Sequence, residues 1–311
     1  MWSVQVPWFC VSGFGAHIRA TGSTLVVQQD GRSREIPLAK VKHLLVMGGH
    51  SLHTSAVARL LKEGAYISFF AADGEPLGIT RPFGGCEDRE VHDAQHAVFG
   101  HSYAVIIARG ALTARLLEIE SLERQQEGAL LYEGELQILH QALEELQFLV
   151  RVEEIRRIHR LTSDMYYEIL SRTIPGDLGF RRRTGGPYLD VVNTMFSVGY
   201  GMLFGNAAVA ALGAHLDPDY GFLNRGPKGL VYDLIESFKP GMIDRPVLAL
   251  IRDGLEDGEF ECGESRCHIS DDLRRRLTQI FHASIDQEKI DTQVMVMRNS
   301  LQQRAEYYTI K

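Results

Sequence analysis

The hydrophobic period changes once along this chain of 311 residues, and that change limits its fold more than any other feature. Up to residue 82, apolar and polar side chains alternate, the two-residue repeat of strands with one buried face. The alternation runs through residues 16–21 and 23–28, and Asp30-Gly31 supplies a turn able to take positive φ. Residues 35–38 and 41–47 continue it, the latter ending in Leu44-Leu45-Val46-Met47 before Gly48-Gly49. Residues 54–62 place Val57, Leu60 and Leu61 at helical spacing, with Gly64 as the stop. Residues 65–70 and 77–80 read as two more strands around an Asp73-Gly74 turn.

Beyond the Pro- and Gly-rich residues 82–86, nearly everything has the helical period. Residues 92–124 are one long helix or two in series, and residues 133–151 and 153–172 follow, with Pro175-Gly176 as a stop. Residues 190–212 are strongly apolar and carry Gly199, Gly201, Gly205, Ala207, Ala208, Ala210 and Ala211. Such small side chains let neighbouring helices approach, so this is expected to be the central buried helix. Residues 228–238, 245–252, 271–285 and the stretch from Asp291 complete the set. Ser270 before Asp271 and Asp272 offers an oxygen cap and an acidic first turn. The expectation is an α+β chain with a small β-rich domain carrying one short helix (residues 1–82). A linker (83–90) then leads to a larger all-α domain (91–311).

A length of 311 residues exceeds the usual single core, and 45% hydrophobic content supplies enough core material without a structural metal. The formal charge of −7 gives no basic balance, so any nucleic-acid contact must rest on local clusters. Three present themselves: Arg156, Arg157 and Arg160; Arg181, Arg182 and Arg183; Arg274, Arg275 and Arg276. Each taken alone is more often a solvated face than a contact. Four cysteines are too few for a disulfide framework, and Cys262 and Cys267, although His268 follows, read as free thiols in a loop rather than a zinc site. Residues 1–15 lack the basic leader and apolar run of a signal peptide, and no apolar stretch reads as a bilayer span. A soluble, cytoplasmic protein with no membrane partner is expected.

Chemistry concentrates between Phe180 and Arg245. Asp233 and Glu236 stand three apart, on one helix face. Two acids held together need a metal, a cation or solvent between them, and oxygen donors suit magnesium or manganese. The same spacing is more often a surface pair or a partner for arginine.

The segments Gly179-Phe180-Arg181-Arg182-Arg183, Pro187, Asp190-Val191-Val192-Asn193 and Ser197-Val198-Gly199-Tyr200 occur in one order with Leu216-Asp217-Pro218, Gly221-Phe222-Leu223 and Asp233-Leu234-Ile235-Glu236-Ser237-Phe238-Lys239-Pro240. As an ordered set they resemble the CRISPR spacer-acquisition integrase family. The strand-rich half, with residues 41–47, 56–61, 65–70, Asp73-Gly74 and Leu77-Gly78, resembles it too.

The resemblance implies a metal-dependent DNA endonuclease and strand-transfer enzyme that inserts spacers into the CRISPR array. It implies a glutamate, a histidine and a second acid holding Mg2+ or Mn2+ in the helical domain, which would neutralise phosphate charge and activate the nucleophile. The second acid falls on Glu236, with Asp233 in support as a catalytic candidate. The histidine falls on Asn224. The glutamate, seven residues before Tyr166-Tyr167-Glu168, falls on His159; placing it on Glu153 or Glu154 would break that spacing. Neutral His159 and the Asn224 carbonyl remain possible ligands.

Further expectations follow from the resemblance. Arg181, Arg182 and Arg183 lie where the family meets DNA, Lys228, Lys239 and Arg245 flank the pocket, and Tyr188 is the candidate for stacking. Tyr166, Tyr167 and Tyr200 read as packing residues. The partners implied are DNA, a second copy of the chain paired through the β domain, and a small ferredoxin-like adaptation subunit. A catalytically weak or silent DNA-binding scaffold of the same fold is the alternative.

Overall fold

A computed structural model describes residues 6–72, 74, 76–84, 87–125, 130–256, 258–303 and 305–310. Asp73 of the expected turn, Gly85 and Cys86 at the start of the expected linker, and residues 1–5 lie outside the described residues. The chain packs as two compact units. One comprises Met1–Val98, Phe204–Tyr220 and Glu288–Glu306; the other comprises Phe99–Leu203, Gly221–Gln287 and Tyr307–Lys311.

The first unit is strand-rich, as alternation predicts. Its strands are β1 (Trp8–Ser12), β2 (His17–Thr21), β3 (Thr24–Gln29), β4 (Arg32–Pro37), β5 (His43–Met47) and β6 (Ser51–Leu52). Helix α1 (Thr54–Lys62), β7 (Tyr66–Phe70), β8 (Pro76–Thr80) and α2 (Glu87–Ala97) follow. They form two four-stranded sheets, ordered β1-β5-β7-β8 and β4-β3-β2-β6. Ile18, Leu25, Val27, Leu44, Val46, Leu60 and Ile67 make one core, with alternate residues of β3 (Leu25, Val27) and β5 (Leu44, Val46) turned into it.

Strand β1 escaped the sequence reading. It pairs parallel with β5, Trp8 opposite His43 and Val11 opposite Val46. Its burial does alternate in part, with Cys10 and Ser12 exposed, but the unbroken apolar run Trp8-Phe9-Cys10-Val11 carries no alternation in the sequence. Helix α2 begins at Glu87, within the stretch read as linker.

The second unit is helical. It contains α3 (Gly100–Gln125), α4 (Glu135–Glu145), α5 (Val152–Ser171) and the first part of α6 (Val191–Gly213). Helices α7 (Gly229–Ile235) and α8 (Arg245–Asp253), the hairpin β9 (Phe260–Cys262) and β10 (Cys267–Ile269), and α9 (Asp271–Ser284) complete it. The last helix, α10 (Gln287–Gln303), lies almost wholly in the first unit. Ser270 caps α9 as expected, accepting from the Leu273 N–H at 3.1 Å.

Residues 228–238 were read as one helix. The chain instead ends α7 at Ile235 and widens into a π-helical turn, Pro240–Asp244, before α8. Proline at the head of that turn has no N–H to continue an α-helical ladder.

Two further expectations are corrected. Cys262 and Cys267 are joined in a disulfide, not free. They face each other across the β9–β10 pair, whose turn is closed by a Gly263 N–H to Arg266 carbonyl bond of 3.0 Å. Helix α6, moreover, is long and apolar enough by length and composition to cross a bilayer, with mean hydropathy 1.4 over its best window; 56% of that window is buried.

Of the small residues of α6, Gly199 is required by close packing within the second unit, whereas Gly201 has open space beside it. A Cβ on Gly199 would lie 2.5 Å from Ile243 Cγ2 and 2.7 Å from Phe281 Cζ. Gly199→Ala should therefore lower stability by about 1–3 kcal/mol, the usual cost of overpacking. Urea unfolding checks this: an unchanged midpoint would mean that Ile243 and Phe281 yield freely.

Candidate active site

The apolar face of α3 repeats at Ala104, Ile107, Ala108, Ala111, Leu112, Leu116 and Ile119, all buried. Arg115 occupies a position in that register and is buried with them. A buried guanidinium requires an anion, and Glu236, the C-cap of α7, supplies it. Arg115 Nη2 donates to Glu236 Oε2 at 2.8 Å. His159, from α5, brings Nε2 to 3.4 Å from the same oxygen. Lys239, one turn past Glu236, donates to its Oε1.

Burial alone would raise the Glu236 carboxyl, but Lys239, His159 and Arg115 hold it well below the usual carboxylate range. His159 moves down from its ordinary value: desolvation dominates, the pull of Glu236 opposes it, and Arg115 and Lys239 add to it. The centre of this pocket is an ionised carboxylate clamped by two permanent cations and a neutral imidazole.

Asp233 does different work, although it is only three residues away. It accepts from the backbone N–H of Phe222 at 2.6 Å, Leu223 at 3.0 Å and Asn224 at 2.8 Å, and from Asn224 Nδ2 at 2.9 Å. Arg156 holds the other side of this turn, donating to the carbonyls of Leu223 at 2.5 Å and Phe222 at 3.1 Å. Arg156, read from the sequence as part of a solvated face, is a clamp. Burial pushes the Asp233 carboxyl up to about 7 against the pull of its N–H donors. Gly221 is needed in the same turn, since a Cβ there would meet the Asn224 carbonyl oxygen at 2.4 Å.

A third buried acid, Asp244, ends the π-helical turn. Tyr166 donates to its Oδ2 at 2.9 Å, Tyr200 donates to Oδ1, and Tyr167 and Tyr200 share a bond of 2.6 Å between hydroxyls. The three tyrosines pack as expected but also form this polar network, which the sequence reading missed. Burial pushes Asp244 up to about 7, with the tyrosine hydrogen bonds and Lys239 opposing.

The residues expected to meet DNA separate into two groups. Arg181 and Arg182 are exposed. Lys228, in left-handed conformation at φ 64°, is an exposed N-cap of α7. Arg183 instead binds Asn193 Oδ1 at 2.6 Å and Ser197 Oγ at 2.8 Å, and lies over the Tyr188 ring at 5.2 Å. Tyr188 also accepts the Cys267 N–H at 2.7 Å on its carbonyl, which ties it to the β9–β10 hairpin. Arg245 pairs with buried Glu118 at 2.6 Å.

The donors do not suit a divalent ion at Glu236, Asn224 and His159. Only one of the three is a carboxylate, and both its oxygens already face cations. The Asn224 amide is turned with its Nδ2 to Asp233. Seating a metal would displace buried Arg115 and strand its charge, a change that ordinarily costs several kcal/mol. Among the described residues, no group of three or more His, Cys, Asp and Glu side chains could hold a metal.

Asp244 makes the pocket's stability depend on pH. Its carboxyl stays neutral in the fold up to about 7 but ionises near 3.8 when unfolded. Its advantage to the fold is therefore complete at acid pH and is lost as pH rises through 7. Asp244→Asn, which stays neutral throughout, should flatten that fall. Urea midpoints from about pH 5 to about pH 8 test it, since a parallel native curve would exclude Asp244 as the source.

The family model described as CRISPR associated protein Cas1 matches residues 9–283. The Cas1 2 protein of Methanospirillum hungatei JF-1 is 40% identical over 302 residues, covering 97% of this chain and 100% of that protein. Among solved structures, a casposase bound to integration product aligns with TM-score 0.79 at 19% identity, over 97% of both chains. A chain of a partial Cas6-RT-Cas1–Cas2 complex aligns with TM-score 0.79 at 17% identity, over 97% of this chain and 98% of that one. A match across nearly the whole length, joined to the strand-rich and helical units, means that this chain belongs to the CRISPR-associated Cas1 family.

Proposed function

We propose that this chain acts in CRISPR adaptation as the DNA integrase subunit, bringing a 3′-hydroxyl to a phosphodiester of the array. The observation that carries this reading is 40% identity to a Cas1 relative over 97% of the chain, and the buried acid Glu236 and the exposed Arg181 and Arg182 lie in one helical unit. A casposase that shares the fold was solved on an integration product, and another neighbour in complex with Cas2, so DNA and a Cas2-type ferredoxin-like subunit are the partners proposed. A homodimer through the β-rich unit, acting in the cytoplasm, belongs to the same proposal.

Each residue has a defined task here. Arg181 and Arg182 supply charge for the DNA backbone, which a chain of net charge −7 needs locally. Asp233 and Arg156 fix the turn at residues 222–224. Lys239 and His159 present partly exposed polar groups beside Glu236. Metal dependence is a property of Cas1 endonucleases as a class, but this chain's donors do not suit the ion, so no step is routed through one.

Strand transfer into a branched or repeat-leader DNA, with magnesium and with manganese, tests the activity. Native transfer that vanishes in Glu236→Ala is the expected result. Transfer only after the double change His159→Glu with Asn224→His would mark the native chain as a silent DNA-binding subunit. Binding should also weaken with salt, and Arg181→Ala with Arg182→Ala should reduce the slope of log K against log salt by about 0.9 per lost phosphate contact. An unchanged slope would remove both arginines from the interface.

A further inference from the structure

We propose that the Glu236 pocket is a metal-free phosphate site in which Arg115 and Lys239, rather than a divalent ion, neutralise a DNA phosphodiester. This deepens the integrase reading and rests on it, since it names what that pocket holds.

The charges of the cluster favour an anion. Arg115 and Lys239 carry two positive charges against the single carboxylate of Glu236. The neighbouring pair Glu118 and Arg245 is balanced. Asp244 is engaged by Tyr166 and Tyr200, and as a neutral carboxyl at acid pH it leaves the surplus intact. A buried positive surplus attracts an anion as strongly as it repels a second cation.

The donors point the same way. Arg115 is 3% exposed, and its Nη1 is buried with no hydrogen-bond acceptor among the described residues. A buried guanidinium with an idle N–H group is an incomplete site, because such groups ordinarily find an acceptor. His159 Nδ1 is likewise buried and unpartnered. Lys239 and His159 retain side-chain exposures of 17% and 13%, so the pocket reaches solvent through them. Guanidinium and ammonium together match a phosphodiester's two free oxygens, the first as a planar fork and the second as a point charge.

The experiment measures binding of a fluorescein-labelled branched DNA by anisotropy in EDTA below about pH 7, where the Asp244 carboxyl is neutral, with manganese binding followed separately by electron paramagnetic resonance. The native chain should bind DNA without metal and leave free manganese unaltered. Lys239→Gln should weaken binding about tenfold, the scale of one charge-assisted contact. Glu236→Gln should strengthen it in EDTA and in manganese alike, because removing the carboxylate that engages them frees both cations. An acid that holds a metal would instead weaken binding in manganese when replaced.

Urea midpoints for each variant separate loss of binding from loss of fold, and Lys239→Gln, at the partly exposed rim, keeps the test independent of the buried Arg115. Stoichiometric manganese binding that is lost in Glu236→Gln would overturn the proposal. So would DNA affinity unchanged in Lys239→Gln, while leaving the integrase reading in place. Absence of DNA binding by the native chain in both EDTA and magnesium would overturn the integrase reading itself.

Discussion

The helical unit depends on how one buried carboxylate is held. Glu236 is almost fully enclosed, and an ionised acid in that position is tolerable only with cations against it. Arg115 comes from α3, His159 from α5, and Lys239 from the turn after α7. One charge therefore fixes the mutual placement of three segments that are distant in sequence. Removing a single partner would leave the rest uncompensated, so the cluster behaves as a unit and its members' contributions will not add.

Asp233 and Glu236 illustrate how adjacent acids on one short helix can serve different ends. Asp233 satisfies backbone N–H groups and determines the path of residues 222–224. Glu236 satisfies side-chain cations and determines the pocket's charge. Asn224 belongs with the first of them: its side chain is committed to Asp233, so this residue closes the turn and is not turned to Glu236. The wide turn Pro240–Asp244 extends the arrangement, placing Asp244 beneath the tyrosine hydroxyls just after Lys239.

Much of the fold was legible because hydrophobic period reports burial directly. Helix α1 was bounded correctly, and α5, α6 and α9 to within a residue or so, because each has one buried stripe and a recognisable start or stop. Strand β1 and the β9–β10 hairpin were not, the first because Trp8-Phe9-Cys10-Val11 is an apolar run without alternation, the second because three-residue strands carry too little pattern. At the site, order and spacing along the chain brought Glu236 and His159 together, and the structure places them 3.4 Å apart. They gave no indication of Arg115, which lies 121 positions from its partner. Its one trace in the sequence is positional: an arginine standing in the apolar register of α3, where a charge must have a buried partner.

That arginine changes how the altered positions are understood. Where the family resemblance expects a glutamate, the chain has His159, which contributes no negative charge when neutral. Where it expects a histidine, Asn224 turns its amide toward Asp233. Either change alone would weaken a metal site; with Arg115 and Lys239 both on Glu236, the local balance moves from negative toward positive. A pocket of the first sign gathers a cation that then binds phosphate, whereas one of the second sign binds phosphate directly. Both solve the same electrostatic problem, the accumulation of negative charge at a phosphodiester, and they differ in whether the countercharge is borrowed from solution or built into the chain.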